Sequence, residues 1–558
     1  MAGAIKSIRG TVGGAVRKVK IGQLGSLADL PFNLKVLTDA GIIRPMGPSE
    51  LLAVGQAVRR WGASPAAGIV SAAARRPGDV ALIDELGEVT FGELDARSNA
   101  LARALIRAGV TSDDSVAIMC RNHRGFADAI FASAKLGASV LLLNTDFARP
   151  QLLGVIERER PQAVIYDAEF ENLLEGAEGE DPELTRLVSW VDDDYAGDRQ
   201  VAEDAIARNS DAPLDPPEEP SRFVILTSGT TGTPKGAQRG SPDSLAPLAI
   251  LLSKIPFRSE RKTVIAAPLF HSWGFLNFAF GLALGSTYVL RRRFDPEATL
   301  KMVADNDADA LVVVPVMLQR ILELDQEVLD RYELPSLRIT AASGSALPGD
   351  MAVRWMNSFG DNLYNFYGST EVGWATIATP EDMRKAPGTA GRTPHGTEVK
   401  ILGDDGRELP DGESGRIFVG NEMSFEGYTG GGGKDIVDGM LSSGDVGHFD
   451  EAGRLFIDGR DDEMIVSGGE NVFPREVEDL LANHDAIDEA AVIGVDDEKF
   501  GQRLKAFVVT SSGADLDEAG VKDYVKENLA RYKIPREVEF MDELPRNPTG
   551  KILKRELE

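Results

Sequence analysis

Cysteine is almost absent from this sequence, since Cys120 is the only one among 558 residues. An intrachain disulfide therefore cannot form, and the cysteine usage gives no indication of secretion. Cys120 lies in the apolar run 115–120, so we expect a buried, structural thiol. The five histidines are scattered and show no spacing typical of a zinc site.

Basic residues are in deficit: 60 lysines and arginines stand against 88 acidic residues, for a formal net charge of −28. This balance excludes nucleic acid as a partner and favours an acidic cytoplasmic enzyme. Anionic ligands must then be attracted by local lysines and bound cations. No run of 18 or more apolar residues occurs, which excludes a membrane-spanning helix. The length predicts two or more domains.

The first twenty residues lack acidic side chains altogether, unlike the rest of the chain. Five basic residues are interleaved there with apolar ones, a pattern typical of an amphipathic helix on an anionic membrane surface. A disordered basic terminus is the alternative, because three glycines weaken a helix. The segment has no continuous apolar stretch, which argues against a signal peptide.

Residues 226–236 (LTSGTTGTPKG) carry the most informative motif, directly after the apolar run 223–226. Glycines let backbone N–H groups approach a ligand, while hydroxyls and a lysine add donors that suit phosphate oxygens. The stretch is not a Walker A loop, because no Gly-Lys-Ser/Thr opens a following helix. Taken alone, it could also be an ordinary surface loop rich in glycine and threonine.

Five further motifs occur downstream in a fixed order: 344–348 (GSALP), 367–371 (YGSTE), 443–445 (SGD), 459–471 (GRDDEMIVSGGEN) and 545–551 (PRNPTGK). Together with the phosphate loop they resemble the adenylate-forming superfamily of acyl-CoA synthetases, adenylation domains and luciferases. The resemblance covers roughly residues 45–558. Within the superfamily, the chain is most similar in character to actinobacterial fatty-acid–CoA ligases.

The resemblance implies a site for ATP, Mg²⁺ and a carboxylic acid. Lys551 is the expected catalytic lysine, Thr370 contacts phosphate oxygen, and Glu371 holds Mg²⁺. Tyr367 is expected to stack on adenine, although a core aromatic is the alternative. Asp445 accepts the ribose hydroxyls. The remaining residues implied to bind ATP or AMP are Thr227, Ser228, Gly229, Thr230, Thr231, Lys235, Gly344, Ser345, Ala346, Gly368 and Arg460.

The resemblance also implies a second state, in which CoA attacks the adenylate. Asp462 corresponds to the hinge about which the C-terminal domain turns, and Lys533 is a candidate for the CoA phosphates. Lys533 could equally be a solvated charge at a helix end. His271 is expected to flank the carboxylate or the thiol path, or else to be a hydrogen-bonded pocket histidine without chemistry. The tunnel for the CoA arm is implied to involve Ser467, Gly468, Gly469 and Glu470.

The expected fold is α/β. A basic extension (1–44) precedes a large AMP-binding domain (45–461) of two βαβ-type subdomains and a small β subdomain (about 385–460). A small, mobile α+β domain (462–558) carries the catalytic lysine. Periodicity predicts helices at 90–110, 125–137, 474–484 and 516–532, and strands at 115–119, 138–143, 163–166, 264–267, 288–290, 311–314, 490–495 and 504–510.

The sequence therefore predicts an ATP-dependent acyl-CoA synthetase that activates a medium- or long-chain fatty acid as acyl-AMP. The aromatic segment 270–280 has no lysine or arginine, which favours an apolar acyl tail. Three alternatives remain open: an acyl-AMP ligase that loads a separate carrier protein, an aryl-acid–CoA ligase, and a non-enzymatic acyl sensor. The oligomeric state is left open.

Overall fold

The structure is a computed structural model. It describes residues 29–557 except 63, 177–183, 193–194, 196, 198, 228–234, 240–243, 404, 422, 424–426, 429–432, 462–464, 468–469, 473, 498–500, 512, 530–532 and 548–549. The predicted membrane-binding segment 1–20 and the hinge Asp462 therefore lie outside the described residues.

The described part of the chain begins with three helices and then alternates strands and helices. These elements are α1 (Leu30–Asp39), α2 (Pro48–Trp61), α3 (Pro65–Arg75), β1 (Val80–Asp84), β2 (Gly87–Thr90), α4 (Phe91–Arg107), β3 (Ser115–Met119), α5 (Arg124–Leu136), β4 (Ser139–Leu142), α6 (Arg149–Glu159), β5 (Ala163–Tyr166), a 3₁₀ turn (Ala168–Leu174), β6 (Thr185–Val188), β7 (Gln200–Val201) and α7 (Ala202–Arg208).

A second alternating stretch follows. Its elements are β8 (Phe223–Thr227), β9 (Lys235–Arg239), α8 (Ala246–Lys254), β10 (Lys262–Ile265), α9 (Ser272–Leu284), β11 (Thr287–Val289), α10 (Pro296–Asp305), β12 (Ala310–Val313), α11 (Pro315–Leu322), α12 (Gln326–Leu329), β13 (Ile339–Ala342), α13 (Gly349–Phe359), β14 (Leu363–Ser369), β15 (Gly373–Ala378) and α14 (Pro380–Lys385).

Strands dominate the next part, and an α+β unit ends the chain. The elements are β16 (Glu398–Leu402), β17 (Gly415–Gly420), β18 (Gly427–Tyr428), β19 (Ile436–Val437), β20 (Met440–Phe449), β21 (Leu455–Arg460), β22 (Ile465–Ser467), β23 (Glu470–Val472), α15 (Pro474–Ala482), β24 (Ile487–Asp497), β25 (Gly501–Thr510), α16 (Glu518–Asn528), β26 (Glu537–Phe540) and a 3₁₀ turn (Lys554–Glu556).

Two eight-stranded sheets form the body of the described chain. The first sheet has the order β18-β9-β8-β4-β3-β5-β6-β7, and the second has the order β15-β14-β13-β12-β10-β11-β1-β2. Both are parallel in their interior, from β8 to β7 and from β14 to β1, and both carry antiparallel strands at an end. The predicted βαβ organisation is thus confirmed.

The strands are not divided between the two sheets in chain order, as two consecutive βαβ subdomains would have them. Instead, β8 and β9 join the first sheet beside β4, while β1 and β2 join the second sheet beside β11. The chain passes from the second sheet to the first after β2, returns to the second after β9, and later adds β18 to the first. Periodicity identifies a strand but carries no information about its distant neighbour, so this pairing could not be predicted.

Helix α5 separates the two sheets and contacts β1 on one side and β3 and β4 on the other. Twelve of its thirteen residues are buried, so it is apolar on nearly every face. The helix begins at the cap residue His123 and ends at Gly137, whose φ of 88° requires glycine. Cys120 is fully buried beside it, as predicted.

Two smaller sheets follow. The strands β16, β17, β20 and β19, with β21 on β20, form the predicted β subdomain, and β23, β22, β25 and β24, with β26 on β25, form the C-terminal sheet. The predicted helix 516–532 is shorter than expected. It starts at Glu518 because the Asp517 side chain accepts the Gly520 N–H as an N-cap. No helix among the described residues is long and apolar enough to span a bilayer.

Candidate active site

The candidate site lies along one edge of the second sheet, where four neighbouring parallel strands end. His271 follows β10, Val314 follows β12, Gly344 follows β13, and Thr370 follows β14. Carboxyl ends of parallel strands meet at a common edge, and ligands of open α/β sheets bind at such edges. The topology therefore brings together residues that are about a hundred positions apart in the sequence.

Thr370 and Glu371 occupy the tip of the tight hairpin between β14 and β15. Gly373 closes this hairpin with a φ of 74°, a conformation that a three-residue hairpin loop requires. A Cβ atom on Gly368 would lie 2.0 Å from the carbonyl oxygen of Gly373, so no side chain fits there. The two glycines explain why the motif bends sharply enough to project Thr370 and Glu371.

The Glu371 carboxylate is buried and held by a donor on each oxygen. Tyr428 donates its hydroxyl to Oε1 at 2.7 Å, and Ser369 donates to Oε2 at 2.9 Å. Burial and the neighbouring carboxylate raise the pKa of Tyr428, so its hydroxyl stays a proton donor at neutral pH. A carboxylate offers about four lone-pair positions, and its hard oxygens suit Mg²⁺. Glu371 and the Thr370 hydroxyl therefore fit a magnesium ion.

Tyr367, Asp445 and Arg460 form a second cluster at the same edge. Asp445 accepts the Tyr367 hydroxyl at 2.6 Å and Arg460 Nη1 at 3.0 Å. Asp445 and Arg460 are direct partners across the antiparallel strands β20 and β21. Burial and the Asp445 carboxylate raise the pKa of Tyr367. Tyr367 also packs on the core of the β subdomain, as the alternative of a core aromatic predicts.

Gly344, Ser345 and Ala346 form the turn between β13 and α13. Gly344 has a φ of 100°, and a Cβ there would lie 3.3 Å from Val314. Glycine is therefore required by conformation at this turn. Ala346 and Gly344 are exposed, so the turn presents its backbone at the edge of the sheet.

His271 caps the N-terminus of α9, and its Nδ1 atom is buried without a hydrogen-bond partner among the described residues. Burial lowers the pKa of His271 to about 4, so the imidazole is neutral at neutral pH. A buried polar atom without a partner costs free energy, which indicates that a ligand or water satisfies it. The neighbouring Ser272 accepts a long hydrogen bond of 3.4 Å from Thr370.

The aromatic segment 270–280 contributes less to an open pocket than its composition predicts. Trp273 packs on Phe366, Phe275 packs on Phe223, and Phe278 is fully buried. Phe280 is only partly buried, and it too packs against this core. Most of these rings pack in the core between the sheets. The pattern within one helix could not predict this, because it does not show which elements the helix packs against.

Lys551 is exposed on a loop of the C-terminal unit that packs against the N-terminal body. Gly550, with a φ of 79°, lies so close to α11 that a Cβ there would be 2.1 Å from Val316 Cγ1. Val316 follows β12, whose end forms part of the candidate edge. The loop is closed by the Asn547 N–H, which donates to the Lys551 carbonyl oxygen at 2.9 Å, and by the Lys551 N–H, which donates to Asn547 Oδ1 at 2.8 Å. The loop with the expected catalytic lysine therefore lies at the site edge in this structure.

Several predicted residues cannot be placed. Ser228, Gly229, Thr230 and Thr231 lie outside the described residues, as do Gly468 and Gly469. The backbones of Thr227 and Lys235 pair across β8 and β9, so they flank the phosphate loop. Ser467 and Glu470 pair across β22 and β23. Lys533 forms an ion pair with Glu476, which agrees with the alternative of a surface charge.

Sequence reasoning missed two residues that hold the hairpin from outside, Asn421 and Tyr428. Asn421 Nδ2 donates to the carbonyl oxygens of Val372 and Trp374, both at 2.8 Å. Both residues come from the segment 421–428 of the β subdomain, some fifty positions after the hairpin. No local pattern signals such a contact. Ser369 also orients the Glu371 carboxylate. It lies inside the 367–371 motif, so its hydroxyl could have been found in the sequence as a donor close to Glu371.

Cys120, His123 and Asp167 form a separate buried cluster within metal-binding distance of one another. His123 Nδ1 accepts the Gly125 N–H at 3.0 Å, so its Nε2 carries the proton and donates to Asp167 at 2.8 Å. Both ring nitrogens are thus used, and burial raises the pKa of the Cys120 thiol. The cluster acts as a structural tie between the ends of β3 and β5.

Comparison with known proteins adds family-level matches. The family model described as AMP-binding enzyme matches residues 69–429, and the model of the AMP-binding enzyme C-terminal domain matches residues 476–551. The chain is 32% identical to the indoleacetate–CoA ligase of Aromatoleum aromaticum, over 86% of this chain and 94% of that protein. It is 28% identical to the long-chain-fatty-acid–CoA ligase FadD13 of Mycobacterium tuberculosis, over 84% and 92%.

A solved structure agrees in fold. The anthranilate–CoA ligase AuaEII, crystallised with anthranoyl-AMP, superposes with a TM-score of 0.79 at 26% identity, covering 88% of this chain and 96% of that one. The similarity extends over both the large and the small domain.

Proposed function

The chain belongs to the AMP-binding enzyme family, and on that premise we propose that it is an acid–CoA ligase that forms an acyl-adenylate and transfers the acyl group to CoA. Adenylate-forming ligases of this kind use ATP, Mg²⁺ and CoA. The observation that carries the proposal is the 2.6 Å hydrogen bond from Tyr367 to Asp445, which joins the strand leading into the Thr370–Glu371 hairpin to the Asp445–Arg460 pair.

In the first half-reaction, a carboxylate oxygen attacks the α-phosphorus of ATP and pyrophosphate leaves. Asp445 would accept the ribose hydroxyls, and Arg460 would orient Asp445. Glu371 and Thr370 would hold Mg²⁺, which neutralises phosphate charge. Lys551 would bring a compact positive charge to the α-phosphate as negative charge develops there. The neutral His271 would border the acid without adding charge of its own.

In the second half-reaction, the CoA thiol attacks the acyl carbonyl and AMP leaves. The acyl carbon–oxygen bond breaks in this step and its electron pair stays on the AMP phosphate, while Lys551 would be withdrawn from the adenylate by a turn of the C-terminal domain. We therefore assign the turn of the C-terminal domain to Asp462, with Ser467, Gly468, Gly469 and Glu470 forming the thiol passage. Support for this assignment is the match of these positions to the family's motif in the sequence.

For the substrate, we propose an unbranched fatty acid of medium to long chain. The fatty-acid ligase from Mycobacterium supports this assignment, as does the absence of charged residues from segment 270–280. An aryl acid is the second candidate, favoured by the indoleacetate and anthranilate ligases and by aromatic rings that accept a flat ligand.

A chain-length series separates the two candidates. We expect kcat/KM to rise from acetate towards palmitate, because each buried CH₂ contributes about 0.8 kcal/mol until the pocket is full. The assay follows AMP and thioester with ATP and Mg²⁺, with and without CoA, and includes benzoate, indoleacetate and coumarate. A maximum at an aryl acid would select the second candidate. Acyl-AMP that accumulates and ignores CoA would instead indicate a carrier-protein acceptor.

We also propose that the enzyme is cytoplasmic and contacts membranes through residues 1–20, which carry five basic and no acidic residues. We expect co-sedimentation with vesicles containing phosphatidylglycerol, lost in high salt and absent with pure phosphatidylcholine. Removal of residues 1–20 should abolish this binding and leave kcat for a short, water-soluble acid unchanged. Equal binding to neutral vesicles would contradict an electrostatic contact.

A further inference from the structure

Tyr428 connects two parts of the site that the sequence keeps far apart. Its hydroxyl donates to Glu371 Oε1 at 2.7 Å, across 57 positions of the chain. Its backbone lies in β18, which pairs with β9, with Tyr428 opposite Ala237 and Gly427 opposite Gln238. Strand β9 is the strand that leaves the phosphate loop. The same residue therefore touches the candidate metal carboxylate and the frame of the phosphate loop.

The Glu371 side chain has little freedom in this arrangement. Ser369 holds Oε2 and Tyr428 holds Oε1, so the plane of the carboxylate is fixed by one donor on each side. Ser369 Oγ itself accepts the Glu371 and Val372 N–H groups, which fixes the hairpin tip. Ser369 orients Glu371 only relative to its own hairpin. Among the described residues, Tyr428 links the carboxylate to the first sheet, through the pairing of β18 with β9.

We infer that Tyr428 is a positioning residue, which holds the Glu371 carboxylate in a fixed place relative to β9, the strand that leaves the phosphate loop, so that Glu371 would be ready to hold Mg²⁺ when ATP binds. The inference rests on the proposed function of the site. A carboxylate that is to hold Mg²⁺ must be in place before the ion binds, since Mg²⁺ demands near-ideal octahedral geometry. A hydrogen bond to a charged oxygen is short and strong enough to set the distance between the Glu371 carboxylate and the first sheet.

The test compares Tyr428→Phe with Tyr332→Phe. Each variant removes one hydroxyl that donates to a glutamate, but the Tyr332 bond to Glu297, at 3.2 Å, joins the loop between α12 and β13 to α10, away from the site edge. The primary measurement is binding of ATP at increasing Mg²⁺, by calorimetry without acid or CoA, so that no turnover occurs. We expect Tyr428→Phe to raise the half-saturating Mg²⁺ concentration by about 10-fold or more. Tyr332→Phe should match the wild type.

Kinetics supply a second readout. Tyr428→Phe should slow acyl-AMP formation, with partial recovery at high Mg²⁺, and should leave thioester formation from supplied acyl-AMP within about 2-fold, because Mg²⁺ stabilises phosphate charge only in the first step. An unchanged Mg²⁺ dependence of ATP binding would overturn the inference. A wild type that binds Mg²⁺ and ATP but forms no acyl-AMP would overturn the proposed function, while the calorimetric comparison would still decide the role of Tyr428.

Discussion

Lys551→Ala should lower acyl-AMP formation by about 10²–10³-fold, the usual effect of removing one donor to transition-state charge. Thioester formation from supplied acyl-AMP should stay within about 2-fold of the wild type, since the turn about Asp462 would withdraw the lysine before CoA attacks. The measurement is single-turnover kinetics of each half-reaction. The structure supports the expected loss in acyl-AMP formation, because the loop of Gly550 and Lys551 packs against α11 near the end of β12.

A matched control is Lys526→Ala, which removes an exposed lysine on α16 of the same C-terminal unit. It should leave both half-reactions unchanged, because its charge is screened by solvent. If Lys551→Ala slowed both half-reactions equally, the lysine would have a general structural role and the proposed division of labour would be wrong.

Gly368→Ala should also slow acyl-AMP formation, but for a steric rather than an electrostatic reason. A Cβ there would lie 2.0 Å from the Gly373 carbonyl oxygen and 2.8 Å from Trp374 Cα, so the hairpin must open. We expect a loss of about 100-fold in acyl-AMP formation, in line with a displacement of about 1 Å at a reacting centre. Stability should fall by about 1–3 kcal/mol, as overpacking usually costs, measured by denaturant unfolding.

Gly154→Ala provides the comparison for this variant. Gly154 lies in α6, and nothing approaches within 4 Å of a Cβ built there. The substitution should raise stability slightly and leave both half-reactions unaltered, since alanine favours a helix over glycine. Wild-type Mg²⁺ and ATP binding in Gly368→Ala would show that the hairpin relaxes without moving Glu371.

The local elements of this protein were readable from its sequence because their signals are local. The strand predicted at 163–166 coincides with β5, and the strand at 115–119 with β3. Helix α5 lies within one residue of its predicted bounds, since Gly137 ends it by conformation. Where a cap decides the bounds, as Asp517 does for α16, periodicity alone placed the start too early.

The order of motifs likewise determined the family, which the family-level matches confirm. The burial of Cys120 also followed from its apolar neighbours. Each of these inferences depends on residues that are adjacent in the chain. The role of Lys551 is to be decided by the half-reaction kinetics described above, and the roles of Asp462 and the phosphate-loop residues stay predictions from the motif.

Only the tertiary structure decided which distant residues share the site. It placed β8 and β9 in the first sheet, β1 and β2 in the second, and Tyr428 and Asn421 against the Glu371 hairpin. It also showed that most aromatic rings of segment 270–280 pack in the core between the sheets. Strand pairing and side-chain contacts across fifty or more positions depend on shape and register in three dimensions, and periodicity along the chain does not encode them.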